Sequence, residues 1–365
     1  MIYSNQQFEN RPRNRAIWEN KLKYIKIICA TLLLSALTSL FSCGEFVNRN
    51  THREKVCFDY FDTVTYIYDY SGDSEESFNQ NCFLATELFG KYHKLFDIYN
   101  EYSGINNLCT INKSAGGEAV CVAPELIEFL LYAKDLHAKT NGEMNIMMGA
   151  VLSLWHDARD KAQAGSKDAR IPSQAELLEA SKHTDIELLE IDAENNTVRI
   201  SDPKARIDVG AVGKGYAAET VAEILRENGA DGYVLDVGGN LKIIGTKPDG
   251  SGWKTGIRNP ADTQSYSHYI TLSDTSCVTS GDYERYFTLN GQKYHHIIDK
   301  DTLMPAEHFS SVTVITADSG LADALSTALF CMSREDGLEL LKNFSEVEVI
   351  WITRNGEKHV TDGIK

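Results

Sequence analysis

Asp323 and Thr327 stand four residues apart in the segment Ala322-Asp323-Ala324-Leu325-Ser326-Thr327, which is otherwise rich in apolar side chains. Leu321, Ala324, Leu325, Ala328 and Leu329 around them predict a helix packed into the core, where an unpaired carboxylate is costly. Residues i and i+4 share a helix face, so the two side chains can aim oxygens at one point. Hard oxygen donors at that spacing suit Mg²⁺ or Ca²⁺ better than a soft metal. A backbone N–H or an arginine beside the carboxylate is the other way to satisfy it.

Other stretches carry chemistry of their own. Ile207-Asp208-Val209-Gly210-Ala211-Val212-Gly213-Lys214-Gly215-Tyr216 reads as a strand end running into a helix, where free amides and Lys214 can meet an anion. It lacks the first glycine and the hydroxyl residue of a Walker A loop, and it does not fit a dinucleotide fingerprint. Asp236-Val237-Gly238-Gly239-Asn240 is a glycine pair after a strand, open to close approach by backbone or by a flat ligand. Thr279-Ser280-Gly281-Asp282-Tyr283 gathers two hydroxyls, an acid and an aromatic ring after an apolar run. In Tyr294-His295-His296-Ile297-Ile298-Asp299, a strand would turn His296 and Ile298 to one side and His295 and Asp299 to the other. One histidine then serves a site, and the other is surface or core.

The elements that must position these residues form an α+β pattern. The alternating run from Val56 to Tyr70 predicts a strand, and helices are expected at 74–99, with Phe78, Phe83, Leu84, Leu88 and Phe89 inward, and at 124–140. Residues 157–172 are charged and read as an exposed loop or ragged helix. Beyond them, strands are expected at 188–192, 197–201, 232–236, 240–245, 255–258, 268–272, 284–289, 293–298, 311–316 and 347–353, and helices at 173–183, 213–228, 319–332 and 334–343. Turns such as Pro248-Asp249-Gly250-Ser251-Gly252 and Asn290-Gly291 favour antiparallel pairing.

The first 42 residues stand apart. Arg11, Arg13, Arg15, Lys21, Lys23 and Lys26 precede an apolar run from Ile27 to Phe41, which describes a secretory signal and is short for a membrane span. Cys43 follows it in the manner of a lipobox cysteine, so residues 1–42 read as a lipoprotein signal peptide, 43–55 as a tether and 56–365 as the working domain. Residues 1–42 carry six basic and two acidic side chains, which turns the formal charge of −16 for the whole chain into −20 for the remainder. Such a surface repels nucleic acid and anionic lipid alike. Cys57, Cys82, Cys109, Cys121, Cys277 and Cys331 are widely spaced without a C-x-x-C pair, and most read as buried thiols.

Taken together and in this order, the motifs resemble the ApbE family of FAD:protein FMN transferases. The resemblance spans about residues 56–355 and rests on Tyr99 with Ser103, Ile105, Leu108 and Asn112; on Gly142 to Trp155; on Asp208 to Tyr216; on Thr279 to Tyr283 with His296 to Asp299 and Pro305; and on Ala322 to Thr327. It implies an α+β domain of mixed, largely antiparallel sheets with packed helices, the T-fold-like architecture of that family. It implies Mg²⁺ held by Asp323, Thr327 and the carbonyl of Ala211. FAD would lie against Phe61, Tyr99, Glu143, Met144, Asn145, Asp208, Lys214 and Ile298, with His296 as base and Asp282 as second choice. The implied reaction moves FMN from FAD to a threonine of an acceptor protein and releases AMP. Exported subunits of Rnf- or Nqr-type complexes are the implied acceptors, met by an enzyme lipid-anchored at the bacterial membrane and facing the periplasm or cell exterior. The same residues would also serve a Mg²⁺-dependent FAD pyrophosphatase or a non-catalytic FAD-binding lipoprotein. The chain departs from the family pattern at Phe61-Asp62-Thr63, where Met-Gly-Thr is usual, at Lys300, where a proline is common, and at Leu303, where a glycine is frequent.

Overall fold

The computed structural model describes residues 52–364, so the expected signal peptide, Cys43 and most of the expected tether lie outside the described residues. The chain opens with β1 (Arg53–Tyr60) and β2 (Thr63–Asp69), where one strand was expected. Phe61 and Asp62 between them both take left-handed conformations, φ 53° and 51°, as a two-residue hairpin turn requires. Neither is the Asn-Gly that normally announces such a turn. Helix α1 (Glu75–Phe96) follows, capped by the Ser74 side chain. Its core stripe runs through Phe78, Cys82, Ala85, Phe89, Tyr92 and Phe96; Phe83, expected inward, falls one residue off that stripe and is 68% exposed.

Then come α2 (Leu108–Lys113), β3 (Val120–Cys121) and α3 (Pro124–Lys139), which starts at its proline as expected. Helix α4 (Gly149–Gln163) takes up the first part of the segment 157–172, read as an exposed loop or ragged helix, and begins eight residues before it. Its apolar stripe of Val151, Trp155 and Ala158 is buried, and its charges lie on the other face. Short α5 (Gln174–Ala180), β4 (Leu189–Asp192) and β5 (Thr197–Ile200) precede α6 (Gly213–Glu227), β6 (Tyr233–Val237) and β7 (Asn240–Ile244). The hairpins β8 (Trp253–Asn259) with β9 (Asp262–Leu272), and β11 (Tyr286–Leu289) with β12 (Gln292–His295), flank β10 (Ser276–Gly281). The chain closes with β13 (Phe309–Thr316), α7 (Ser319–Cys331), α8 (Arg334–Leu341), β14 (Glu348–Thr353) and β15 (Lys358–Val360).

The main sheet has eight strands in the order β1-β2-β6-β7-β10-β13-β14-β15. Every ladder between strands is antiparallel, which bears out the α+β class. Period-two alternation splits its side chains between two cores. Leu235, Ile244, Val278, Val312 and Val314 face the helical layer, where α7 presents Ala322, Leu325 and Leu329. Val234, Ile243, Cys277, Ile350 and Ile352 face the opposite way and are covered by Trp253, Ile257, Ile270 and Leu272 of the β8–β9 hairpin. The Pro248–Gly252 turn therefore carries the chain from the sheet to its cover and does not close a hairpin within the sheet. Asn290 and Gly291, by contrast, do close the β11–β12 hairpin with φ 51° and 81°.

One buried charge pair fixes where α7 begins. Lys242 on β7 is 2% exposed and gives hydrogen bonds of 2.7 Å to Glu219 Oε1 on α6 and 2.7 Å to the Ala317 carbonyl. Glu219 Oε2 accepts from the Ser319 N–H at 2.6 Å. Lys242→Met should cost about 3–5 kcal/mol in urea unfolding, because Glu219 is left charged and unpaired. Lys242→Met combined with Glu219→Leu should recover most of that loss.

Candidate active site

Asp323 lies on the inward side of α7 and is 3% exposed. Its Oδ2 accepts a 2.9 Å hydrogen bond from the Gly215 N–H at the start of α6, and the Lys214 ammonium stands 3.8 Å from the same oxygen. Side-chain capping is absent at that end of α6, so the carboxylate of a neighbouring helix meets the uncapped first turn. Only glycine permits this approach. A Cβ at residue 215 would lie 2.3 Å from the Ser319 carbonyl oxygen and 2.5 Å from the Asp323 Cβ.

The arrangement leaves three oxygens without a strong partner among the described residues. Asp323 Oδ1 accepts no hydrogen bond. Gly215, whose N–H a regular helix would direct to the Ala211 carbonyl, bonds Asp323 instead. The Thr327 hydroxyl reaches only Ser280 Oγ, at 3.3 Å, while that serine bonds Ser326 Oγ more closely at 2.7 Å. A carboxylate, a carbonyl and a hydroxyl are hard donors that fit Mg²⁺. Among the described residues no three His, Cys, Asp or Glu side chains cluster, so a cation here would complete its shell with water or phosphate oxygens.

The two adjacent histidines separate by their hydrogen bonds. His295 uses both ring nitrogens, Nε2 at 2.9 Å from the Ala306 carbonyl and Nδ1 accepting from the Ile297 N–H at 3.3 Å, and it packs edge-on against Phe330. It belongs to the core. His296 lies just past the end of β12, which stops short of the strand expected to residue 298, and its Nδ1 is 3.1 Å from the Arg285 carbonyl. A carbonyl only accepts, so Nδ1 carries the proton and Nε2 keeps a free lone pair. Solvent reaches this ring, yet protein crowds it. Loss of surrounding water, then the Arg285 guanidinium, hold its pKa well below the ordinary histidine range. Lys214 also presses on His296 electrostatically, which puts the base candidate near the Asp323 group. Asp282, the second-choice base of the sequence reading, is paired with Lys293 at 3.1 Å. Thr279 to Gly281 lie within β10 and not in a loop.

The described residues 62–351 match the family model described as the ApbE family. The chain belongs to that family. It is 32% identical over 272 residues to the FAD:protein FMN transferase of Treponema pallidum, covering 70% of this chain and 73% of that one. With the Klebsiella pneumoniae enzyme of the same name it shares 28% over 274 residues, 74% of this chain and 83% of the other. The ApbE protein of Thermotoga maritima superposes with a TM-score of 0.75 at 28% identity, over 86% of this chain and 98% of that one. The flavin transferase ApbE of Vibrio cholerae gives a TM-score of 0.68 at 25% identity, with the same coverage of both chains.

In this ApbE-family chain the remaining expected residues fall into two connected groups. Asp208 takes its backbone N–H to the Ile146 carbonyl at 2.8 Å, beside the Glu143–Asn145 turn. Glu143 pairs with Lys300 at 3.3 Å, two residues beyond Ile298, and the Cys331 thiol at the end of α7 points to the Ile298 carbonyl at 3.8 Å. Met144 and Ile298 are buried, and the Asn145 side chain is spent on the Thr184 carbonyl and the Met147 N–H. These three shape the wall, and Met144 and Ile298 offer a ligand backbone atoms above all. Tyr99 is 58% exposed and joins this group through His156. Phe61 packs edge-on to Phe89 and His93, and its carbonyl lies 3.5 Å from Arg285, which links it to His296.

His156 and Arg285 were not singled out in the sequence. The stripe of Val151, Trp155 and Ala158 is the signal that could have placed His156 on a helix. Leu303, where a glycine is frequent, takes φ 60°, a left-handed conformation that glycine adopts freely; its carbonyl accepts from the Trp155 indole at 3.0 Å. His295 and His296 both have depressed pKa values, chiefly from burial. The unfolded chain therefore binds more protons below about pH 6.5, and folded stability falls as pH drops through that range. Replacing Arg285 with Gln should raise the His296 pKa and move the acid limb of the kcat–pH profile upward, towards that of an ordinary histidine. An unmoved limb would remove His296 as the titrating base.

Proposed function

We propose that this chain transfers the FMN half of FAD to a threonine hydroxyl of an acceptor protein and releases AMP. The observation that carries the proposal is the set of unsatisfied hard oxygens at Asp323, Ala211 and Thr327, with Lys214 and the free Nε2 of His296 beside it. Family membership supports it, since the relatives compared carry the name FAD:protein FMN transferase.

Asp323, Thr327 and the Ala211 carbonyl would hold Mg²⁺, which when bound neutralises pyrophosphate charge as the bridging P–O bond loosens. Lys214 and the amides opening α6 add donors to the phosphate oxygens. His296 Nε2 takes the proton of the attacking hydroxyl. The new bond joins the threonine oxygen to the FMN phosphorus, the anhydride bond breaks, and AMP departs with the bridging oxygen. Tyr99 and Phe61 flank the flavin end, and Asp208 with the 143–145 turn lines the rest of the cleft.

The leader of residues 1–42 and Cys43 support an exported, lipid-anchored protein facing the periplasm or cell exterior. Its acceptors are then exported flavin-carrying domains, of the kind found in Rnf- or Nqr-type complexes. The test is mass spectrometry of a co-expressed acceptor domain, which should show covalent FMN on threonine. Asp323→Ala should lower labelling roughly 100-fold or more, and His296→Gln by about 10²–10⁴-fold. Release of free FMN with no labelled acceptor would identify a pyrophosphatase instead, and full labelling by Asp323→Ala would overturn the metal site.

A further inference from the structure

His156 stands between two residues of the FAD cleft without belonging to either motif. It projects from α4 so that Nδ1 is 3.1 Å from the Tyr99 hydroxyl, while Nε2 lies 3.9 Å from Asp208 Oδ2. Its side chain is 23% exposed and that of Asp208 10%, while Tyr99 is open to solvent, so the link runs from a shielded acid to an exposed ring. Tyr99 is held at the other end as well, its N–H bonded to Asp97 Oδ1 at 2.7 Å. Arg159, one turn further along α4, acts on the same tyrosine hydroxyl. An exposed ring pinned at both ends is a prepared platform.

The proton positions follow from the partners. In a neutral imidazole one nitrogen donates and the other accepts. A lone pair on Nε2 would face the Asp208 carboxylate and be repelled, so Nε2 carries the proton and Nδ1 accepts from the Tyr99 O–H. The phenol proton is thereby committed to His156, and the Tyr99 oxygen, which Arg159 approaches as a donor, keeps one lone pair for anything bound in the cleft.

We infer that His156 is a positioning residue for FAD: it couples Tyr99 to Asp208, holds the tyrosine ring at the flavin end, and makes the Tyr99 oxygen an acceptor for a ligand N–H or O–H. This rests on the proposed function, and it adds a residue that none of the site motifs contains. Because His156 works through Tyr99, removing either should cost the same interaction, and removing both should cost little more.

The experiment is a double-mutant cycle in the full chain, read by FAD affinity from flavin fluorescence and by acceptor labelling. His156→Phe and Tyr99→Phe should each raise Kd and KM for FAD about 2- to 13-fold, the range expected for one neutral hydrogen bond, with kcat nearly unchanged. The double variant should match either single one. His156→Asn, which keeps an acceptor near the position of Nδ1, should restore most of the affinity and also serves where the phenylalanine variant fails to fold. Losses that add across the cycle, wild-type affinity in His156→Phe, or no rescue by His156→Asn would overturn the inference. Wild-type protein that binds FAD but labels no acceptor would overturn the proposed function while the cycle still decides the role of His156; wild-type protein that binds no FAD would overturn both.

Discussion

The hydrogen bond from the Gly215 N–H to the Asp323 carboxylate joins two helices whose contacting residues lie 108 positions apart in the chain. The rest of the site depends on it. It places a negative charge at the positive end of α6, brings Lys214 to the same oxygen, and leaves the Ala211 carbonyl without its usual backbone partner. A buried acid that would otherwise be a heavy cost becomes the cap of a neighbouring helix and keeps its second oxygen without a hydrogen-bond donor among the described residues.

That contact can form because the sheet holds both helices at fixed height. Lys242 and Glu219 tie β7 to α6 and to the first turn of α7, while Val312, Val314 and Val278 pack under Leu325 and Leu329. The β8–β9 hairpin seals the opposite face, so the sheet is a stiff floor with apolar material on both sides. Asp323 and Thr327 lie inside α7, while Lys214 opens α6 and His296 and Asp282 lie just past strand ends, where backbone donors and acceptors are free to meet a ligand.

Much of this was legible from residue order. The apolar helix around Asp323, the glycine-rich entry to α6 and the antiparallel strands of the second half all follow from periodicity and turn chemistry, because each signal is local. The β1–β2 hairpin was not legible, since Phe61 and Asp62 adopt left-handed conformations without the residues that usually mark them. The start and regularity of helix α4 were hidden by the charges on its exposed side, which left 157–172 readable as loop or ragged helix, and His156 was hidden with them. The roles of the adjacent histidines could not be read from alternation, as the strand ends between them; only the partners of each nitrogen tell them apart. What sequence withholds here is long-range: Arg285 meets the Phe61 turn, and Lys300 meets Glu143, only after the domain has closed.

The crowding at Gly215 carries a consequence for the life of the molecule. Because the loop that would cradle phosphates is completed by a helix near the far end of the chain, a nascent or C-terminally clipped polypeptide contains the glycine motif yet has no counterpart to finish it. A completed loop is thus reserved for finished molecules, and fragments arising during synthesis or turnover lack the acid that closes it.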